Sequence, residues 1–430
     1  MRFPVAAVTC MALSSAIAQA QAPAKGPQQA VRPPIANHWM DLATFSFAGM
    51  PEMPGGGMPG IGGMLGGGAQ GDNSFGATRH MQPGRWVDIA LFSRNRPQGA
   101  EAAQAIPPAM QLGASIPLIP PGRAPKPEPG RAGETDAPER PKGRILLYWG
   151  CGEQVRSGQP RVLDFSKGSP QEWGKFWEGR FAAERGATAR DGNALWPNER
   201  DRRRVARDAS VAGEHTVSGD GVPAGLRFQV PPANDLMPAI ELTQRGPAAG
   251  AIQLSWASTA NARGYFTNAM GSQGDDMIFW SSAEVADAGF GLLEYLSPAN
   301  IERWTAEKVL MPSSQTTCAV PAGIFANTQG AMLRLIAYGP ELNLVHPPRP
   351  ADSKLTWEQE WTVRVRTKSQ VMAMLGEDGR SAGRAPAGRG AAPAAGSRQG
   401  EAPPAAERKA DPRAPSLPGA VDVLRGIFGR

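Results

Sequence analysis

"WVDIALFSR" (residues 86–94) decides the fold class. Val87, Ile89 and Leu91 alternate with Trp86, Asp88 and Ala90, the two-residue period of a strand with one buried face. "WMDLATFSF" (39–47) matches it at Trp, Asp, Ala, Phe and Ser, and Leu42 corresponds to Ile89. No third copy follows, so two similar strands are expected rather than a repeat array. "RILLYWG" (144–150) and "RVLDFS" (161–166) add two further strands. From residue 214 short runs recur, among them "GLRFQV", "AIQLSW", "GYFTNAM", "DMIFWSSAEV", "AMLRLIAYG" and "WTVRVRTKS". Turn clusters of Gly, Pro, Asn and Asp separate them, a pattern of antiparallel sheets stacked as sandwiches. "GSQGDD" (271–276) reads as one such connection, so Asp275 and Asp276 are expected as turn residues rather than an acid pair. The fold class is therefore mainly β: two antiparallel β-sandwich-like units, a small helical insertion and long disordered Gly/Pro-rich segments.

The 52 glycines and 42 prolines of the 430 residues are concentrated in particular segments, leaving the remainder able to hold cores. Arg2 followed by the apolar run 5–18 and the small-residue site Ala18-Gln19-Ala20 reads as a signal peptide over 1–20, with a mature start near Gln21. Cys10 would suit a lipoprotein, but Thr9 precedes it where a small residue is wanted. No later run is apolar for about 18 residues, so no transmembrane segment is expected in the mature chain. The signal style and the Ala/Arg/Pro-rich composition point to the periplasm of a Gram-negative bacterium, or to secretion beyond it. Residues 21–35 form a linker, and 36–120 hold the N-terminal strands around a disordered Gly/Met loop (49–75). A second linker covers 121–143. The first β unit spans 144–245 and the second 246–375. Residues 376–418 read as disordered, and 419–430 as a short amphipathic tail in which Val421, Leu424 and Phe428 share a face, read either as a docking peptide that folds on a partner or as a frayed tail. Within the first unit, 170–208 has helical spacing: Trp173, Phe176 and Trp177 fall at i, i+3 and i+4. The cluster Arg202–Arg204 reads as a solvated face balanced by Glu199, Asp201 and Asp208. The net charge of +6 is spread along the chain, which speaks against nucleic-acid binding.

Two cysteines, Cys151 and Cys318, remain after signal removal, and an even count in an oxidising compartment favours a disulfide between them. A nucleophilic cysteine needs a base, and none of His38, His80, His215 and His346 sits in a recognisable cysteine-hydrolase context. A structural zinc site would want more thiols or closely paired histidines. The Gly/Met loop formally holds a dinucleotide pattern at Gly55, Gly57 and Gly60, but Pro59 interrupts it and no helix pattern follows. Its Met50, Met53, Met58 and Met64 are soft donors suited to Cu(I), set against a plain reading as an unstructured loop. No hydrolase elbow, P-loop, zinc-protease or calcium motif occurs, so no catalytic residue and no cofactor is assigned. Scattered acids such as Glu153, Asp220 and Glu241 leave room for a glycosidase-like pair with no short signature. Trp149, Trp256, Trp280, Trp304, Trp357 and Trp361 read mostly as core, with sugar stacking as the other use.

At "IQLSWASTANARGYF" (252–266) the chain resembles bacterial fibronectin type III-like modules. The shared positions are Trp256, ending one strand, and Ala262, Gly264 and Tyr265, opening the next; Tyr338 in "AMLRLIAYG" looks like their later strand. The resemblance covers about residues 225–370, and it implies an immunoglobulin-like sandwich used for structure or binding, with no catalytic residue carried over. The expectation is a non-enzymatic envelope protein that binds a protein or glycan. An exported carbohydrate-active enzyme or sugar-binding module is the first alternative, and a Met-loop copper binder the second.

Overall fold

A computed structural model describes residues 29–48, 73–79, 81–122, 142–167, 170–328 and 330–376. The expected signal peptide, His80, the four methionines of the Gly/Met segment, most of the 121–143 linker and the C-terminal tail lie outside the described residues. From the N-terminus, β1 (Val31–Arg32) leads to the long β2 (Ala36–Phe47) and β3 (Gly84–Ser93), then to β4 (Ala102–Ala105) and β5 (Ser115–Leu118). β6 (Arg144–Trp149) and β7 (Arg161–Asp164) precede helix α1 (Pro170–Phe176). Next come β8 (Asn193–Trp196), β9 (Gly213–Gly219), β10 (Arg227–Val230), β11 (Leu242–Arg245) and β12 (Ile252–Trp256). The hairpin β13 (Gly264–Gln273) and β14 (Asp276–Ser281) is followed by helix α2 (Pro298–Ala306). β15 (Met311–Pro312), β16 (Thr317–Val320), β17 (Ala331–His346), β18 (Trp357–Glu358) and β19 (Trp361–Met374) complete the described chain.

The protein is mainly β, and its two sandwiches share a sheet. Ten strands form one layer in the order β7-β6-β14-β13-β17-β19-β2-β3-β8, with β15 pairing to β13 off this path. The small sheet β10-β9-β4-β5 packs on one half of that layer around Met40, Val87, Ile89, Val217, Phe228 and Val363. The small sheet β11-β12-β16 packs on the other half around Leu254, Trp256, Tyr265, Trp280, Val320 and Leu335. Pairing in the large sheet is antiparallel except at β6–β14 and β2–β19, which run parallel. These pairings cross the divisions drawn from sequence at 143/144 and 245/246.

β19 joins the two cores. Its Trp361, Val363 and Val365 face the first, and Val371 and Ala373 face the second. Thr367 and Ser369 stand between, where the segment 236–240 passes between the small sheets. Ser369 Oγ donates to the Pro238 carbonyl at 2.8 Å, and Thr44 Oγ1 on β2 donates to the Met237 carbonyl at 2.6 Å. β17 bulges here, between Tyr338 and Glu341. Gly339 lies within the bulge because a Cβ would run into Thr367 Oγ1 and Met237 Sδ.

The opposite face of the large sheet is covered by residues 73–79 and 81, by α1 with the irregular chain after it, and by residues 283–310. Helical structure in the insertion ends at Phe176, well short of the 170–208 span expected. The predicted face does form: Trp173 meets Phe165 edge-on at 5.3 Å, and Trp177 meets Phe290 at 5.2 Å. Gly174 and Gly179 weaken further helix. Beyond them Arg180, Glu184 and Arg185 are drawn into ion pairs with Asp287, Arg366 and Glu341. Residues 193–196 then form the edge strand β8, whose "NALW" lacks any helical period. α2 went unforeseen in the connection before residue 304. Its signal is Ser297, which caps Asn300 N at 3.2 Å, with Pro298 at the first position. Ile301 and Trp304 bury its inner face against Phe266 and Tyr338.

Candidate functional site

The repeated Trp-x-Asp-x-Ala pattern has a geometric outcome. β2 and β3 run antiparallel with Met40 opposite Ile89, so Asp41 stands opposite Asp88, Trp39 opposite Ala90 and Ala43 opposite Trp86. Both aspartates are buried, 1% and 2% exposed. Like charges directly opposite one another destabilise a sheet. Relief comes from the parallel neighbour, because β19 brings Arg366 opposite Asp41. Arg366 Nε donates to Asp41 Oδ1 at 2.7 Å and Nη2 to Oδ2 at 2.6 Å, a bidentate pair. Burial opposes the Arg366 charge, but Asp41 outweighs that and its pKa is raised. Ala187 N adds a donor to Asp41 Oδ2 at 3.0 Å. Gly186 precedes it because a Cβ there would strike the Arg366 guanidinium and Asp41.

Asp88 is met by the other cover segment. Gly76 N donates to Oδ1 at 2.9 Å, and Thr78 N and Oγ1 approach Oδ2 at 3.2 and 2.5 Å. Burial pushes its carboxyl up to about 7, assisted by Asp41 and opposed by the Thr78 and Gly76 bonds. One row along β19, Lys368 is 1% exposed. Its Nζ reaches the Leu293 carbonyl and Glu294 Oε2, both at 3.3 Å. Burial lowers its pKa, with Glu294 acting against that. The Tyr295 ring lies under both cations, 4.5 Å from the Arg366 guanidinium carbon and 4.6 Å from Lys368 Nζ. Glu184 closes the layer, 2.8 Å from Arg79 and 3.4 Å from Arg366. A buried acid titrating near neutrality is suited to proton donation. Here, however, every carboxylate oxygen of Asp41 and Asp88 already has a protein partner: Arg366 on the neighbouring strand and Ala187 N for Asp41, and Gly76 and Thr78 of a covering segment for Asp88.

A second polar chain runs through the first sandwich. His215 Nε2 reaches the Val211 carbonyl at 2.8 Å, and its Nδ1 lies 2.9 Å from Gln104 Nε2. Gln104 Oε1 lies 2.9 Å from His38 Nε2. The pattern is self-consistent with both rings neutral and protonated at Nε2. Phe228 stacks on His215 at 5.1 Å. Burial lowers the His38 pKa to about 4, partly offset by Gln104 and furthered by His215; burial also lowers that of His215.

Cys151 and Cys318 are joined, with S–S 2.10 Å and Cα atoms 5.1 Å apart. The bridge ties the loop after β6, in the large sheet, to β16 in the small sheet of the second sandwich. Backbone bonds run beside it, Gly152 N to the Ala319 carbonyl and Ala322 N to the Glu153 carbonyl, each 3.0 Å. The acids singled out from sequence fall in different places. Glu153 follows the bridge and meets Gln253, Asp220 turns between β9 and β10, and Glu241 precedes β11. Asp276 pairs with Arg144 at the β13–β14 hairpin. Trp256, Trp280, Trp304 and Trp361 are buried, while Trp149 and Trp357 are half-buried. Trp256 packs edge-on against Tyr265 at 5.4 Å. In the arginine cluster, Arg203 pairs with Asp201 at 2.6 Å and Arg204 lies over the Trp86 ring at 5.2 Å. Arg202 and Arg203 are exposed, and the Arg203–Asp201 pair is the balanced charged face expected; Arg204 departs from it, half-buried against Trp86.

Sequence reasoning missed the Asp41–Asp88–Arg366–Lys368 layer. Its signals were present: an aspartate repeated within two matching strands, and cations at every second position of "VRVRTKS". Among the described residues no group of three His, Cys, Asp or Glu side chains is placed to hold a metal ion, and no helix is long and apolar enough to cross a membrane. No protein-family model and no curated protein matches the chain.

Proposed function

We propose that the chain is an exported bacterial envelope protein that acts as a rigid binding or structural platform rather than as a catalyst. The observation that carries this reading is the Cys151–Cys318 bridge between the two sheets of the second sandwich. Such a cross-link persists in an oxidising compartment, and the signal-like N-terminus supplies the route there. Support for a platform comes from the charged layer, whose groups bind cover to sheet. The fibronectin type III-like resemblance points the same way: Trp256 and Tyr265 lie on strands of facing sheets and pack together. The partner class is an envelope protein or a glycan. The test is expression of the full chain in a Gram-negative host, followed by fractionation and thiol alkylation without reductant. A chain starting near Gln21 in the periplasmic or released fraction, with neither cysteine alkylated, is expected. An unprocessed chain in the cytosol with all three cysteines alkylated, Cys10 among them, overturns the reading.

A second reading, an exported carbohydrate-active enzyme, draws on one observation: Asp88 faces Asp41 and titrates near 7. It requires hydrolysis of a polysaccharide panel that disappears in Asp88→Asn. Glycan binding without turnover returns the assignment to the platform.

A further inference from the structure

Where β19 ends and β17 begins, three methionines form a row. Met270 on β13 is the register partner of Met332 on β17, and Met332 is the partner of Met374 on β19. Direct cross-strand partners share a sheet face with Cβ atoms about 5 Å apart, so three thioethers stand side by side. Met270 is 40% exposed and Met374 38%, while Met332 is half-buried. Two further methionines back the row. Met372, two residues before Met374 and so on the same face, is buried in a cluster with Met81, Met332 and Phe47. Unbranched thioether chains at three aligned, partly open positions are mobile enough to converge their sulfurs. Thioether sulfur is a soft, neutral donor that favours Cu(I) over harder divalent ions.

We propose that Met270, Met332 and Met374 form a three-thioether site for Cu(I). The site lies on the paired strands of the framework and draws on none of Met50, Met53, Met58 and Met64. Binding does not depend on the platform reading; only the supply of copper in the cell depends on export. No redox step is involved, because the metal enters and stays as Cu(I).

The experiment is anaerobic titration of the purified mature chain with Cu(I) against a chromophoric Cu(I) chelator. Three proteins are compared: the native chain, the triple variant Met270→Leu/Met332→Leu/Met374→Leu, and a chain lacking residues 49–72. Leucine nearly conserves methionine's volume, and unchanged circular dichroism with an intact Cys151–Cys318 bridge verifies the fold of each. The native chain and the 49–72 deletion are expected to hold one Cu(I) with similar affinity, and the triple variant to bind roughly tenfold more weakly or worse. Native-like binding by the triple variant, loss of all binding on deleting 49–72, or no copper uptake by the native chain overturns the proposal.

Discussion

Asp41 and Asp88 occupy equivalent places in two matching strands, yet their surroundings separate their roles. Asp41 is the counter-charge of a buried guanidinium, and Asp88 is a donor-rich anchor for residues 76–78. Asp41→Asn leaves Arg366 buried beside a neutral amide, and removal of one partner of a buried pair costs about 3–5 kcal/mol. Asp88→Asn keeps an acceptor and loses little more than one hydrogen bond, about 1 kcal/mol. Urea unfolding of the two variants is expected to show that ordering; equal losses would mean that Asp41 and Asp88 play the same part. Titration adds a second test. Between pH 6.5 and about 4 the unfolded chain protonates His38 and the folded chain does not, so stability falls as pH drops through that window. Between 3.8 and about 7 the folded chain retains the Asp88 proton and the unfolded chain has lost it, so stability falls as pH rises. The two slopes oppose each other over their shared range, giving a nearly flat native profile from these groups. In Asp88→Asn the opposing slope is gone: His38 removes about 3 kcal/mol of stability from pH 6.5 to 4, and His215, also lowered by burial, adds a loss of the same sign. A flat profile in that variant would contradict the buried, neutral His38.

At the scale of elements, strands were legible and their partners were not. Alternation in "WVDIALFSR" reports which face is buried, a local property. It says nothing of the parallel pairing that brings β19 beside β2, since those strands lie some three hundred residues apart in sequence. The Asp41–Arg366 pair was invisible for that reason, although each half of it was in view. The helical period at Trp173, Phe176 and Trp177 was real but short, because the next residues serve the charged layer instead of a helix. The cysteine count was more informative, since Cys10 lies in the signal-like segment and the other two, Cys151 and Cys318, admit one intramolecular pairing. That bridge closes a span of 167 residues, which the chain-entropy model values at up to about 5 kcal/mol. The double variant Cys151→Ser/Cys318→Ser should unfold at a markedly lower temperature than the oxidised native chain, and adding reductant to the native chain should reproduce most of that loss. An unchanged unfolding temperature in both cases would remove the bridge from the stabilising interactions.

For the whole molecule, the decisive feature is that two hydrophobic cores rest on one ten-stranded sheet. β17 and β19 pass from the first core to the second, and the 236–240 segment is hydrogen-bonded to the sheet between them. Neither sandwich can lose its half of the large sheet without exposing the other's edge. The charged layer on the far face spans the same strands, holding the covering segments on both sides of the junction. Separate units, as the sequence divisions at 143/144 and 245/246 imply, would unfold separately. The most direct test is scanning calorimetry of the mature, oxidised chain. A single transition is expected, with the van't Hoff enthalpy equal to the calorimetric enthalpy. Two resolved transitions, or a calorimetric enthalpy near twice the van't Hoff value, would contradict the shared-sheet architecture.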